Sequence, residues 1–377
     1  MDYKKLSLEK HKELKGKISV SLKDSLDTQE KLSTYYTPGV AAVSSHLATH
    51  PEEAREYTWL NNSVAVISDG SAVLGLGDIG PFGALPVMEG KSMLFKHFAD
   101  IDAVPIVLDV HEPEEIIAAV KAIAPSFGGI NLEDINAPKC FEIEERLKAE
   151  LQIPVFHDDQ HGTAIVVLAG LINSMKLTNR SLSDAKIVVT GAGAAGTAII
   201  KLLHLYAKPR IFVVDSKGVV SANRSDLNDE KKKLLGFSNP SSIDGSLEDI
   251  IKGADIFIGV SKAGLLTKDM VKSMNKDPII FAMANPDPEI LPDDAKAAGA
   301  AIIATGRSDF PNQVNNALAF PGIFRGALDN GVLNITDDHK IAAAEVIAGL
   351  VDSPDPEHII PSVLDDRLVG EIAKVIV

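Results

Sequence analysis

Two acidic doublets, Glu133-Asp134 and Asp158-Asp159, each follow a short apolar run, 129–132 and 154–156. Carboxylates in such places are costly to bury unless a cation or a base neutralises them. Three of them, with substrate oxygens and water, make the hard octahedral oxygen site that Mg2+ or Mn2+ prefers. The neighbouring His157 and His161 have no cysteine partner, which disfavours zinc; an acidic doublet taken alone is also the composition of a solvated turn. Lys91 stands as a lone base after a glycine-dense stretch containing Gly75, Gly77, Gly80, Gly83 and Gly90. Desolvation there is expected to lower its pKa and fit it for general-base work, against the plainer alternative of an exposed loop lysine. Tyr35-Tyr36 precede Thr37-Pro38-Gly39, so a phenol sits beside a Pro-Gly turn, suited to proton donation or to ordinary packing. Asn285-Pro286, and Asn315-Asn316 ahead of Phe320-Pro321-Gly322, can present amides at strand ends on the ligand side of a sheet, or simply mark turns.

A second constellation is built for a dinucleotide. Gly191-Ala-Gly193-Ala194-Ala195-Gly196 follows a β-branched run and opens a helix-like stretch. Its glycines allow a tight turn and close approach to a pyrophosphate, while the helix N-terminus supplies N–H donors. Asp215 closes the next apolar run about 20 residues on, where a carboxylate can accept from ribose hydroxyls and repel a 2′-phosphate. NAD is therefore expected over NADP, with Lys217 able to soften the preference.

These residues need a scaffold of alternating elements. Runs at 64–67, 104–108 and 154–156 read as strands, with helical stretches at 114–123 and 141–151 between them. After an apolar helix over 163–175 comes strand 186–190, the glycine turn, a helix to Tyr206 and strand 211–214, which is a βαβ unit. Further strands are expected at 255–260, 279–283 and 301–304. The fold class is thus α/β, with an N-terminal α/β domain for substrate and metal (1–160) and a Rossmann-like, doubly wound NAD(P)-binding domain (161–325). Residues 326–377 read as C-terminal helices whose docking the sequence leaves open. The polar stretch 221–246 is expected to be a surface insertion.

With 377 residues, 45% of them apolar and 24% charged, the chain has the composition of a folded multi-domain protein. Its formal charge, 37 − 52 = −15, comes without a basic block and argues against nucleic acid or an anionic membrane as partner. The first 17 residues are polar and rich in lysine, with no secretory-type apolar run, so a soluble cytoplasmic protein is expected. The single cysteine, Cys140, excludes an intrachain disulfide and reads as a small buried apolar residue.

Taken together, the motifs resemble those of the malic enzyme family. The matching stretches run in family order: Tyr36-Thr-Pro-Gly, Ser68-Asp-Gly through Gly75-Leu-Gly-Asp-Ile-Gly to Gly90-Lys91, Leu132-Glu-Asp-Ile, Phe156-His-Asp-Asp-Gln-His-Gly-Thr-Ala, the Gly191 turn, Phe281-Ala-Met-Ala-Asn-Pro, and Asn315-Asn316 to Pro321-Gly322. The chain is similar to the short bacterial and archaeal form. The resemblance implies oxidative decarboxylation of L-malate to pyruvate and CO2 with NAD, or NADP, and Mg2+ or Mn2+. By family position Glu133, Asp134 and Asp159 hold the metal, Lys91 is the general base, Tyr36 the general acid, and Asp158 tunes Lys91. Gly191, Gly193, Ala194, Ala195, Gly196 and Asp215 bind the cofactor. Asn285 and Asn316 contact the substrate carboxylate, with Asn315 nearby and Asn285 also against the cofactor. Short family members are homodimers whose sites can be shared, so a homodimer is expected.

One departure concerns the arginine that larger members carry just before Leu-Gly-Leu-Gly. Ser71-Ala72 stand in its place, and Arg307 is the candidate to meet the substrate carboxylate, with a surface arginine as the plainer reading. Two relatives use the same residues differently: a malolactic enzyme gives lactate without net redox, and a soluble oxaloacetate decarboxylase performs only the second half. A catalytically silent NAD-binding sensor would be expected to have lost a carboxylate, Lys91 or Tyr36, and all are present.

Overall fold

The computed structural model describes residues 3–377; residues 1 and 2, the start of the first expected domain, lie outside them. Among the described residues ten strands form two sheets. The first contains β1 (Ser63–Ser68), β2 (Asp102–Val107), β3 (Gly129–Leu132) and β4 (Val155–His157). They are all parallel, in the order β2-β1-β3-β4. Every residue of β1 is buried, as expected of a parallel strand covered on both faces. Pro105, which can donate no ladder hydrogen bond, lies in the edge strand β2.

The second sheet contains β5 (Lys186–Thr190), β6 (Arg210–Asp215), β7 (Gly218–Val219), β8 (Ile256–Gly259), β9 (Ile279–Ala282) and β10 (Ile302–Thr305). Its order is β10-β9-β8-β5-β6-β7, parallel except for the two-residue β7, which runs antiparallel to β6. The order reverses at β5, so the crevice outside its carboxyl end is the ligand position of a doubly wound sheet.

Two expectations about local structure are corrected. The helix expected from residue 163 begins five residues earlier and runs Asp158–Leu177, across the 160/161 boundary. Asp158 and Asp159 thus occupy its first turn, where the helix dipole favours negative charge. The stretch 221–246 is also more than a surface insertion, since it contains helix Asp229–Leu234 with Leu234 buried, and two of its side chains reach Asp215.

One apolar core runs through both sheets. It joins Val64 and Phe95 to Leu168 and Leu171 of the Asp158–Leu177 helix, then to Ile258, Phe281 and Ile347. The C-terminal helices close it. Helix Asp337–Gly349 packs on Asp158–Leu177, while Phe320–Asn330 packs on both Gly80–Ala99 and Arg367–Ala373. The buried Asn173 amide donates to the carbonyls of Ala348 (2.9 Å) and Ile359 (3.0 Å), and Arg325 donates to Asn62 Oδ1 at 2.7 Å. The C-terminal helices therefore dock on both expected domains, returning to the first. Cys140 is buried, and burial pushes its thiol up to about 12.

Candidate functional site

Parallel pairing places the two acidic doublets side by side. Leu132 of β3 is in register with His157 of β4, so Glu133-Asp134 and Asp158-Asp159 leave adjacent carboxyl ends. Lys91, 7% exposed, projects among them from the Gly80–Ala99 helix. Its Nζ lies 2.6 Å from Asp158 Oδ2, 2.8 Å from Glu133 Oε1 and 3.5 Å from Asn316 Oδ1, and 4.3 Å from the centre of the Phe320 ring.

The lysine is the reverse of the desolvated neutral base expected from the sequence. Burial pushes its pKa down, but Asp158, Glu133 and Asp159 together outweigh burial and hold the ammonium above the ordinary lysine range. The carboxylates carry the complementary strain. Burial drives Glu133 above its ordinary range against the pull of Lys91. Burial and the charges of Asp159 and Glu133 push Asp134 up to about 9. Asp158 is pushed up to about 6, mainly by burial, with Lys91 restraining it. Four carboxyl groups share one cation, and the cluster is short of positive charge.

Several polar atoms confirm the shortage. Asp134 Oδ2 and Asp158 Oδ1 are buried without a hydrogen-bond partner. Asp159 Oδ2 accepts the Asp134 N–H at 2.7 Å, which holds the two doublets together, and Asp134 adopts φ 54 to make the turn. Among the described residues no three His, Cys, Asp or Glu side chains converge on one point as a metal cage would. Glu133 is drawn instead to Lys91 and to the Asn131 amide, 2.9 Å away. The hard oxygen donors and the orphaned Asp134 Oδ2 nonetheless suit a divalent cation.

Gly162 brings Asp158 and Asn316 together. A Cβ at this position would stand 2.1 Å from Asp158 Oδ1 and 2.8 Å from Asn316 Cβ. Beneath the cluster, Glu144 receives His161 Nε2 at 2.8 Å. Despite its burial, Glu144 is held well below the usual carboxylate range, chiefly by His161. Burial pushes His161 down to about 4.

The dinucleotide turn lies at the reversal point. Gly191 has φ 108, and a Cβ on it would meet Val260 O at 2.6 Å. A Cβ on Gly196 would lie 2.0 Å from Gly191 O, so both positions exclude a side chain. Gly193 faces open space and caps helix Ala194–Ala207 with no side-chain hydrogen bond, which leaves its first N–H groups for a ligand. A cavity of about 560 Å³ adjoins it, lined by Thr190, Asp215, Lys217, Gly218, Ser261 and Lys262 among others. The Thr190 hydroxyl is buried without a partner. The cradle fits a dinucleotide.

Other expected residues are placed differently. Tyr36 is 66% exposed, and its hydroxyl makes no hydrogen bond among the described residues. Asn315 accepts the Ala317 N–H at 2.9 Å, a helix cap. Asn285 precedes a cis proline, and its carbonyl lies where a Gly75 Cβ would point, at 2.5 Å. Arg307 is turned to Asp309 at 2.7 Å and to Asp287 at 3.4 Å, with no contact to the Lys91 cluster.

The sequence reading missed four residues that shape the site: Asn131, Phe320, Gly162 and Glu289. Glu289 is fully buried and accepts the N–H groups of Ser261 and Ala284, both at 3.0 Å, tying the ends of β8 and β9 together. Gly162 and Phe320 each lie in a stretch that carries the family resemblance, with no role assigned to them there, whereas Asn131 and Glu289 carried no signal.

Residues 15–148 match the model of the malic enzyme N-terminal domain and residues 160–376 that of the malic enzyme NAD-binding domain. The chain belongs to the malic enzyme family. Its class is that of the NAD(P)-dependent oxidoreductases, and the α/β fold with parallel sheets is the family's. The bifunctional malic/malolactic enzyme of Bacillus subtilis is 54% identical over all of this chain and 92% of its own length. The NADP-dependent malic enzyme of Escherichia coli is 47% identical over 96% of this chain and 50% of its own length. Among solved structures, the NAD-dependent malic enzyme of Thermotoga maritima superposes with a TM-score of 0.95 at 51% identity, covering 98% of each chain. No helix among the described residues is long and apolar enough to cross a membrane.

Proposed function

We propose that this malic enzyme converts L-malate to pyruvate and CO2 with NAD or NADP, and that Glu133, Asp134 and Asp159 hold Mg2+ or Mn2+. The observation that carries the reading is the buried Lys91, 2.6 Å from Asp158 and 2.8 Å from Glu133, beside a carboxyl cluster short of positive charge. A nicotinamide held beside the Gly191 turn would supply a hydride acceptor, and a divalent ion held by Glu133, Asp134 and Asp159 would supply Lewis acidity toward the substrate oxygen.

The chain's own groups move the protons. Lys91, held as an ammonium by Asp158, Glu133 and Asp159, is in the form that returns a proton; to take the C2 hydroxyl proton it must first give one up, which a cation on Glu133, Asp134 and Asp159 would favour by neutralising the carboxylates that hold it charged. Asp158 orients Lys91, with Gly162 leaving room for its carboxyl beside Asn316. Asn316, and Asn285 behind its cis proline, are assigned to the substrate carboxylate. Arg307, already paired with Asp309 and Asp287, has to exchange partners to join them. Tyr36 is assigned the proton donated to C3. Its exposed ring requires that the Gln29–Tyr35 helix or a second copy of the chain bring it to the cleft.

The homodimer belongs to the same proposal. None of the six helical segments between Tyr3 and Asn61 contains a buried residue, and Leu8, Val20, Leu22, Tyr36 and Tyr57 are exposed. Apolar patches of this kind mark an interface.

A second reading, malate to lactate without net redox, is favoured by the bifunctional Bacillus subtilis relative. Purified protein given L-malate, Mn2+ and either cofactor separates them. Reduced cofactor with equimolar pyruvate supports the proposal. Lactate without net cofactor reduction supports the second reading, and pyruvate from oxaloacetate alone refutes both.

A further inference from the structure

We propose that Arg224 and Lys231 set cofactor choice: by occupying the Asp215 carboxylate they remove its ribose-reading role, so that Lys217 and Lys262, which line the cavity, accept the 2′-phosphate of NADP as well as NAD. The inference rests on the dinucleotide reading of the cavity beside Gly191 and deepens it.

A free carboxylate at the end of the second strand of a βαβ unit selects NAD by accepting from the ribose hydroxyls and repelling a 2′-phosphate. Asp215 occupies that position, but its side chain is only 6% exposed. Its Oδ1 accepts the Lys217 N–H at 2.9 Å and Arg224 Nη1 at 2.8 Å. Its Oδ2 accepts Arg224 Nη2 at 3.1 Å and Lys231 Nζ at 2.6 Å. An ionised carboxylate has about four lone-pair sites, and four donors fill them. A ribose hydroxyl must displace one of these donors to be read at all.

The surrounding charge has the sign a phosphate needs. Arg224 also pairs with Asp226, through Nε to Oδ1 and Nη2 to Oδ2, both at 2.9 Å. Lys217 Nζ meets Asp226 Oδ2 at 2.8 Å while remaining 66% exposed at the cavity. Three cations, Lys217, Arg224 and Lys231, thus face Asp215 and Asp226, Asp244 also lies within electrostatic reach of Arg224, and Lys262, lining the same cavity, leaves the group one positive charge ahead. The guanidinium fork is bidentate on Asp215 and so holds the carboxylate in one orientation. Arg224 and Lys231 come from the polar stretch after β7, so that stretch carries the selecting groups.

Calorimetric titration of the full-length protein with 5′-ADP and 2′,5′-ADP tests this without the nicotinamide, malate or metal, since these isomeric probes differ only in whether the second phosphate is attached at the 2′ position or to the 5′-phosphate. NAD and NADP are titrated alongside. The wild type is expected to bind 2′,5′-ADP at least as tightly as 5′-ADP, and NADP within about tenfold of NAD. Arg224→Gln is expected to lower the 2′,5′-ADP to 5′-ADP affinity ratio by about tenfold or more, and Lys231→Ala to lower it in the same direction. Circular dichroism establishes that each variant is folded; should Arg224→Gln unfold, Arg224→Lys and Lys231→Ala carry the same comparison. If NAD and 5′-ADP bind but 2′,5′-ADP is rejected, or if the folded variants leave the ratio unchanged, the inference is wrong and the cofactor reading stands. If none of the four ligands binds, both fall.

Discussion

Asp134 offers a test of whether the carboxyl cluster is built around a missing positive charge. Its carboxyl is pushed from 3.8 up to about 9 by burial and by Asp159 and Glu133. An acid whose folded pKa lies above its unfolded value keeps a proton that the unfolded chain has lost. Its stabilising contribution is greatest below the unfolded pKa and is lost as pH rises through the folded one. One such proton makes unfolding easier by about 1.4 kcal/mol per pH unit. Between about pH 7 and about pH 8 the slope reports on the Glu133-Asp134 doublet, both members of which are held above the ordinary carboxylate range, because Asp158, near 6, and His161, near 4, titrate below it. Asparagine tolerates the positive φ of Asp134 and carries no titrating proton. In the presence of a chelator, Asp134→Asn should therefore have a shallower slope than the wild type and be the more stable protein at about pH 8. Integrating from the unfolded pKa gives an upper limit of about 6 kcal/mol, which relaxation and water entry bring down to a few. Urea unfolding followed by circular dichroism at both pH values measures the difference. Equal slopes in the two proteins, or a variant less stable at both pH values, would refute the reasoning. Added Mn2+ should then stabilise the wild type and not the variant, a ligand-linked shift that needs no turnover.

Three further predictions concern the same architecture. Lys91→Ala should abolish malate oxidation while calorimetry still shows NAD binding, because the lysine contacts the carboxyl cluster and not the Gly191 cradle; wild-type turnover would remove it from the mechanism. Gly162→Ala should lower kcat by about a hundredfold with a smaller change in cofactor affinity, since its Cβ would lie 2.1 Å from Asp158 Oδ1 and push it off Lys91. An unaltered kcat in a folded variant would show that Asp158 need not be held there. Sedimentation velocity should give a dimer for the wild type and a larger monomer fraction for Val20→Glu/Leu22→Glu, whose parent side chains are 94% and 76% exposed. A monomeric wild type would contradict the proposed assembly.

Much of the architecture is a local property of the chain. Short β-branched runs bounded by glycine, proline or acidic residues can be satisfied only as buried parallel strands, so β1 and β5 are legible from composition and length. The Gly191 turn is legible for the same reason, since the backbone there excludes Cβ atoms at both ends of the motif. Helix starts were less legible. The Asp158–Leu177 helix begins in polar sequence, where N-terminal acids and the dipole act and apolar periodicity is absent.

What only the tertiary structure decided is where charge meets charge. Strand register, set by packing between segments far apart in sequence, brings Glu133 beside Asp158 and sends Lys91 between them. A lysine that looks desolvated along the chain is thereby held as an ammonium. In the same way Asp215 has the position of a ribose acceptor, yet Arg224 and Lys231, nine and sixteen residues further on, fold back to fill its lone pairs. The types and spacing of side chains are written in the sequence, and they limit which chemistry is available. The protonation state and free lone pairs of each group depend on neighbours within a few ångströms, because electrostatic energies fall with distance in space and take no account of distance along the chain.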